Sequence, residues 1–139
     1  MKKLSLIEKA FFLKQTLLFN DLDLDLLIAI AEKMHQDLYD KNEKVFDLHQ
    51  IANRMYIIAK GSVDIIDESL HTLKSLTAND FFGDESLFNE KPRGYKAICT
   101  KDSLLISLTK TNLYNIISEC PSVALALLSC HAKYKNCRY

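Results

Sequence analysis

One segment concentrates residues whose types and spacing can do chemistry: Asp80-Phe81-Phe82-Gly83-Asp84-Glu85-Ser86-Leu87-Phe88-Asn89-Glu90-Lys91-Pro92-Arg93-Gly94-Tyr95-Lys96-Ala97. It carries two of the three glycines in the chain and one of its two prolines. Gly83 permits a tight turn, and Asp84 to Phe88 can form one short helical turn. Free amides at the start of that turn would face a common space, which suits an anion. Arg93 follows nine residues after Asp84 on the returning chain. Pro92 stiffens that return, and Gly94 allows a ligand close to the backbone. Amides plus one guanidinium fork suit a phosphate. Asp84 would repel a phosphate, so it makes sense as an acceptor for a sugar hydroxyl. Phosphate beside a hydroxylated sugar suggests a nucleotide.

Other chemistry is poorly supported. Asp21, Asp23 and Asp25, with Glu32 eleven positions after the first, mimic the ligand spacing of a calcium loop. The sixth position of such a loop needs glycine, and here it is Leu26; helix capping explains the acids better. Cys99, Cys120, Cys130 and Cys137 form no C-x-x-C pair, and His35, His49, His71 and His131 offer no H-x-x-x-H spacing. No metal is expected, and the cysteines read as free thiols in a reducing compartment. Cys130-His131 are neighbours on a helix and point in different directions, so adjacency makes no dyad. No G-x-S-x-G elbow, P-loop or H-E-x-x-H is present, so no catalytic residue is assigned and an enzyme is not expected.

The elements that must position the segment read as helical, then strand-rich, then helical. Ser5-Leu6-Ile7-Glu8 fits a capping box. Ile7, Ala10, Phe11, Lys14 and Leu18 follow at helical spacing, with Lys14 the polar intruder. After a turn at Phe19-Asn20-Asp21, Asp23 or Asp25 would cap a second helix that buries Leu27, Ile30, Ala31 and Met34. From Gln36 to about Leu108 short apolar runs recur: Val45-Phe46, Met55–Ile58, Val63–Ile66, Leu73–Leu76, Ala97–Cys99 and Leu104–Leu108. Turn clusters between them suit a small sandwich or barrel, with Gly61 in a tight hairpin. Thr109 or Thr111 can cap a helix over Asn112–Ser118. Pro121 stops it, and Ser122 can cap another helix with Ala124, Leu127, Leu128, His131 and Tyr134 on one face.

Composition agrees with one domain spanning 1–139: helices over 1–35, a barrel over 36–108 with its cassette at 82–97, and helices over 109–139. The apolar fraction is 48% and the charged fraction 26%, and 18 basic residues balance 18 acidic ones. That balance argues against a nucleic-acid binder working through bulk positive charge. Three glycines and two prolines leave no flexible linker or low-complexity tail. No run approaches the ~20 apolar residues of a membrane span. The apolar start, Leu4-Ser5-Leu6-Ile7, is cut short by Glu8 and Lys9 before it could serve as a secretion signal, so no membrane contact and a cytoplasmic location are expected.

Two motifs carry a resemblance to the cyclic nucleotide-binding domain family, shared by the catabolite activator protein and the regulatory subunits of cAMP-dependent kinase. Phe82-Gly83-Asp84-Glu85-Ser86-Leu87 and Pro92-Arg93 resemble its phosphate-binding cassette, F-G-E-x-A/S-L, four variable residues, then P-R-x-A-S/T. Tyr56-Ile57-Ile58-Ala59-Lys60-Gly61-Ser62-Val63-Asp64-Ile65 is similar to its aromatic-x-I/V-x-x-G-x-V/A-x-V/I motif. The resemblance covers about Leu17 to Leu128 and implies an α+β, mainly β, fold: a small antiparallel β-barrel or jelly roll flanked by helices. It implies Arg93 as the phosphate-binding arginine, with Gly83, Ser86 and Gly94 presenting amides to the cyclic phosphate. Asp84 stands where a glutamate holds the ribose 2′-hydroxyl and is one methylene shorter. Tyr95 stands where alanine is usual, and Lys96 where Ser or Thr is usual. The glycine expected between the second and third strands is missing from Asp47-Leu48-His49-Gln50-Ile51-Ala52-Asn53.

The candidate ligand-binding set is therefore Phe82, Gly83, Asp84, Glu85, Ser86, Arg93, Gly94, Tyr95 and Lys96. The resemblance implies a cyclic nucleotide as ligand, with no other cofactor. Lys96, lacking the hydroxyl associated with the guanine ligand, leans the choice toward cAMP over cGMP. The chain ends soon after Tyr134, without room for a winged helix, and no kinase-inhibitor segment precedes the barrel. A stand-alone sensor is expected, signalling through movement of the C-terminal helices to a protein partner or through self-association, with Tyr134 or Tyr139 as aromatic candidates to cap the base. The alternative is a degenerate domain of the same fold, in which Tyr95 fills the pocket, Arg93 pairs with Asp84 or Glu85, and the chain serves as a protein-interaction module.

Overall fold

The computed structural model describes residues 1–87 and 90–134. Phe88, Cys137 and Tyr139 lie outside the described residues, as do the side chains of Ser86, His131 and Tyr134. The chain divides into two compact units. One holds the strands, His35–Lys110; the other holds the helices, from Leu4–Met34 and from Thr111 onward.

In the strand unit, β1 (His35–Tyr39), β8 (Ser103–Thr109), β3 (Arg54–Lys60) and β6 (Phe81–Phe82) form one sheet in that order. β2 (Lys44–Phe46), β7 (Lys96–Cys99), β4 (Ser62–Ile66) and β5 (Thr72–Thr77) form the other. All pairings are antiparallel. Alternating side chains from both sheets meet in one core of Phe46, Tyr56, Ile58, Val63, Ile65, Leu76, Phe82, Tyr95, Ala97, Cys99 and Leu105. This is the jelly-roll arrangement expected, built as two facing sheets. The six runs read as strands all form strands; β1 and β6 were not anticipated. The residues of β1 are all exposed or half-buried and form no apolar run, and β6 is two residues that pair with Tyr56 and Ile57.

Gly61 joins β3 to β4 with φ +101°. A Cβ there would meet the Ser103 side chain and lie 2.7 Å from the Ser103 Cα, so both conformation and space demand glycine. Cys99 is buried on β7, and desolvation pushes its thiol up to about 11.

In the helical unit, α1 (Leu6–Lys14) opens with the expected capping box. The Glu8 amide donates to Ser5 Oγ (3.2 Å) and the Ser5 amide to Glu8 Oε1 (2.9 Å). Its buried face differs from the expected stripe: Lys9, Ala10 and Leu13 are buried, while Ile7 and Phe11 are half-exposed. Lys9 can lie inward because its ammonium donates to the Met34 carbonyl (3.2 Å), leaving its stem to pack. α2 (Leu24–Glu32) is capped by Asp23, which accepts from the Leu26 amide (3.0 Å). It buries Leu27, Ile30 and Ala31, with Met34 just beyond.

α3 (Lys110–Glu119) runs straight on from β8, placing Thr109 in the strand and Thr111 inside the helix rather than at a cap. The Asn112 side chain donates to the Lys33 carbonyl at the end of α2 (2.9 Å). α4 (Ser122–Tyr134) buries Leu127 as expected, but with Val123 and Cys130 beside it; Ala124 is half-buried, and Leu128 and Leu125 are exposed. No helix among the described residues is long and apolar enough to cross a membrane.

Candidate functional site

The cassette leaves β6 through Gly83, whose φ of +77° uses the freedom of glycine. A 3-10 turn, Asp84–Leu87, follows; Phe88, where the sequence ends that turn, lies outside the described residues. The chain returns through Pro92 and Arg93, and here the backbone is fixed from an unforeseen direction. The Arg93 amide donates to the Gln50 carbonyl (2.9 Å), and the His49 amide donates to the Arg93 carbonyl (2.9 Å). The β2–β3 loop thus acts as a template for the arginine. His49 takes φ +66° in this loop, so a non-glycine residue adopts the left-handed conformation where a glycine was expected. The loop is held by local bonds: Asp47 accepts from the Leu48 amide (2.9 Å) and from the Lys44 ammonium (2.8 Å). The Lys44 hydrogen bond holds the Asp47 carboxyl below its usual range.

Arg93 points inward and is 5% exposed. Its Nη1 donates to the Gly83 carbonyl (2.8 Å) and its Nη2 to the Arg54 carbonyl. Its Cζ lies 4.1 Å from the centre of the Phe46 ring, a cation–π distance. Burial lowers the affinity of the guanidinium for its proton, while Tyr95, Tyr56, Glu85 and Asp84 oppose that shift. Arginine keeps its charge through such a shift. Asp84 is itself 3% exposed and Glu85 half-buried.

Tyr95 points inward as well, 7% exposed. Its hydroxyl accepts from the Gly83 amide (2.9 Å), and its ring lies 5.5 Å from Phe46. Phe82 is wholly buried and stacks on Tyr56 at 5.2 Å with 14° between planes; its ring is a core group that anchors the start of the cassette. Gly94 is exposed, and an added Cβ would meet nothing within 4 Å. Lys96 opens β7 opposite Ile66, half-buried and near enough to Asp47 to favour its charge.

The structure therefore gathers Gly83, Asp84, Glu85, Arg93 and Tyr95 around one peptide, with Gly94 between the last two. Phe82 stands behind them, Lys96 sits at the strand edge, and the Ser86 backbone lies in the turn. The residues that sequence reasoning missed are Phe46, Arg54 and the His49-Gln50 pair. Phe46 supplies a ring and the others supply backbone groups, from positions 39 to 47 residues away along the chain. Nothing local in the sequence marks them. Chemically, the cluster offers a buried guanidinium, an adjacent buried carboxylate and a turn with backbone amides. That set can recognise an anion joined to a hydroxyl-bearing group.

Among the described residues, no group of three or more histidines, cysteines or acids is placed to hold a metal. Comparison with known proteins points the same way as the motifs. The family described as the cyclic nucleotide-binding domain matches residues 36–120. The chain is 23% identical over 88 residues to a cAMP-dependent protein kinase regulatory subunit of Candida albicans, covering 63% of this chain and 19% of that protein. It is 27% identical over 122 residues to a cGMP-dependent protein kinase of Plasmodium berghei, covering 88% of this chain and 13% of that one. Among solved structures, the catabolite activator protein of Thermus thermophilus superposes with a TM-score of 0.81 at 24% identity, over 87% of this chain and 59% of that one. The chain spans less than a fifth of the length of these two kinase relatives. With the family match covering more than half of the chain, the protein belongs to the cyclic nucleotide-binding domain family.

Proposed function

We propose that the protein is a regulatory module that binds a cyclic nucleotide, cAMP in preference to cGMP, in the cassette 82–97. Arg93 turns from the Gly83 and Arg54 carbonyls to the cyclic phosphate, and Asp84 accepts from the ribose hydroxyl. The observation that carries this reading is the pair of buried charges. Among the described residues of the strand unit, Asp84 and Arg93 are the buried charged side chains, and both belong to the cassette. A buried charge is expensive to keep in a core, and apolar residues of similar size often serve stability as well or better. Charges retained there fit a ligand-recognition role.

The reading is one of binding without turnover, so cAMP incubated with the protein is recovered unchanged. The helices that follow β8 carry the response to a protein partner or a second copy in the cytoplasm, with the exposed Leu125 and Leu128 of α4 available for contact. A response of this kind requires the nucleotide to favour one helix arrangement over another. Titration calorimetry with cAMP and cGMP tests the reading: a saturable heat that is larger or tighter for cAMP is expected, and it disappears in Arg93→Ala.

A second reading is favoured by the Tyr95 contact. With its hydroxyl on the Gly83 amide (2.9 Å), the cassette already satisfies its own donor, as a nucleotide-independent interaction module would. Absence of any heat at millimolar nucleotide, from folded protein, favours that reading over the first.

A further inference from the structure

We infer that Tyr95 is a displaceable internal occupant of the cassette, a phenol that competes with the incoming phosphate; this rests on the nucleotide-binding reading above. Both polar groups of Gly83 are held by two residues that flank Gly94. Its amide donates to the Tyr95 hydroxyl (2.9 Å), and its carbonyl accepts from Arg93 Nη1 (2.8 Å). The Tyr95 ring is buried 5.5 Å from the Phe46 ring, and the Arg93 guanidinium lies 4.1 Å from the centre of that same ring. Phenol and guanidinium therefore form one packed assembly around a single residue. An alanine at position 95 would reach neither the Gly83 amide nor the Phe46 ring.

Gly94 gives this assembly a place to bend. It is exposed, and nothing lies within 4 Å of where its Cβ would be. With the Arg93 backbone held by Gln50 and His49, rotation about the Gly94 backbone, which carries no side chain, would move Tyr95 relative to Arg93. A phosphate oxygen is the stronger acceptor for an amide, since charge roughly doubles such a bond. It gains that bond only after the phenol leaves and its ring loses the contact with Phe46. The apparent dissociation constant is then the intrinsic one divided by the fraction of molecules with Tyr95 displaced. Tyr95 sets the affinity, and so the nucleotide concentration to which the module responds.

The test uses the full chain and two measurements. The first is hydrogen exchange of the Gly83 amide without ligand, in wild type and in Tyr95→Phe, which keeps the ring and removes the acceptor. Exchange is expected to speed about threefold to tenfold, the range a net neutral hydrogen bond provides. The second is calorimetric titration with cAMP of wild type, Tyr95→Phe and Tyr95→Ala. Tyr95→Phe is expected to bind about threefold to tenfold more tightly than wild type, for the same lost bond. Tyr95→Ala binds more tightly again if it folds; the phenylalanine variant carries the test if it does not. Unchanged Gly83 exchange in Tyr95→Phe overturns the proposal whatever the ligand does. Wild-type binding that Tyr95→Phe leaves equal or weaker overturns it while the nucleotide-binding reading stands. No heat from any folded variant overturns the reading and the competition together.

Discussion

Replacing Arg93 with alanine removes contacts that the strand unit makes in its own interior, two hydrogen bonds and a ring contact among them. The guanidinium donates to the Gly83 carbonyl at 2.8 Å and to the Arg54 carbonyl, and covers the Phe46 ring at 4.1 Å. Hydrogen bonds to a charged group contribute about 1.5–3 kcal/mol each, and a desolvated cation–π contact adds about 1–2 kcal/mol. Against these stands desolvation, the leading influence on the Arg93 charge, which costs several kcal/mol for a buried ion. The variant relieves that cost but leaves a void, a buried Gly83 carbonyl and a part-buried Arg54 carbonyl without this donor, at about 1–3 kcal/mol for a fully buried one. The net expectation is a loss of about 2–4 kcal/mol, within the roughly 5–15 kcal/mol of a typical domain. Arg93→Met separates the terms, since its stem still packs on Phe46 while donating nothing; about half of the loss is expected. Urea denaturation of the full chain, followed by circular dichroism, measures both. An alanine variant within about 0.5 kcal/mol of wild type would refute an Arg93 engaged by the barrel.

Three further outcomes follow from the same geometry. Gly61→Ala is expected to lose more than about 2 kcal/mol, because φ is +101° and the new Cβ lies 2.7 Å from the Ser103 Cα. Gly94→Ala, with open space around its Cβ, is expected to stay within about 0.5 kcal/mol of wild type in denaturation, yet to weaken cAMP in calorimetry. The Cys99 thiol, raised by burial from 9.0 to about 11, favours the folded state below its unfolded value and loses that contribution as pH climbs through its folded one. Burial also raises the Tyr39 and Tyr56 phenols, so they act in the same direction at still higher pH. Thermal melts between about pH 9 and 11 are expected to fall, less steeply in Cys99→Ala; an equal slope in both would remove Cys99 from the account.

Local signals in the sequence translated into structure wherever the cause was local. Ser5 and Glu8 form their box, Asp23 takes the cap of α2, and Gly61 makes the hairpin. The apolar runs became strands because their period matches two inward faces. Elements without a pattern of their own escaped: His35–Tyr39 is a strand because Ser103–Ser107 offers it a ladder. The buried face of α1 differed because Lys9 finds a backbone acceptor, and that of α4 because Val123 and Cys130 join Leu127 inward while Leu128 stays exposed. At the candidate site the position was legible, since Gly83, Pro92, Arg93 and Gly94 are rare residues in one place. The state of the site was not. Tyr95 and Arg93 choose their direction through Phe46, Arg54 and Gly83, contacts set by tertiary packing rather than by spacing along the chain.

If Arg93 and the cassette recognise a cyclic phosphate, binding depends on the guanidinium. Calorimetric titration of the 139-residue chain with cAMP, beside Arg93→Ala assayed at a temperature where it remains folded, tests this dependence. The account predicts saturable binding by the wild-type protein and none by the variant. No heat from the wild type at millimolar cAMP, or binding that survives the loss of Arg93, would contradict it.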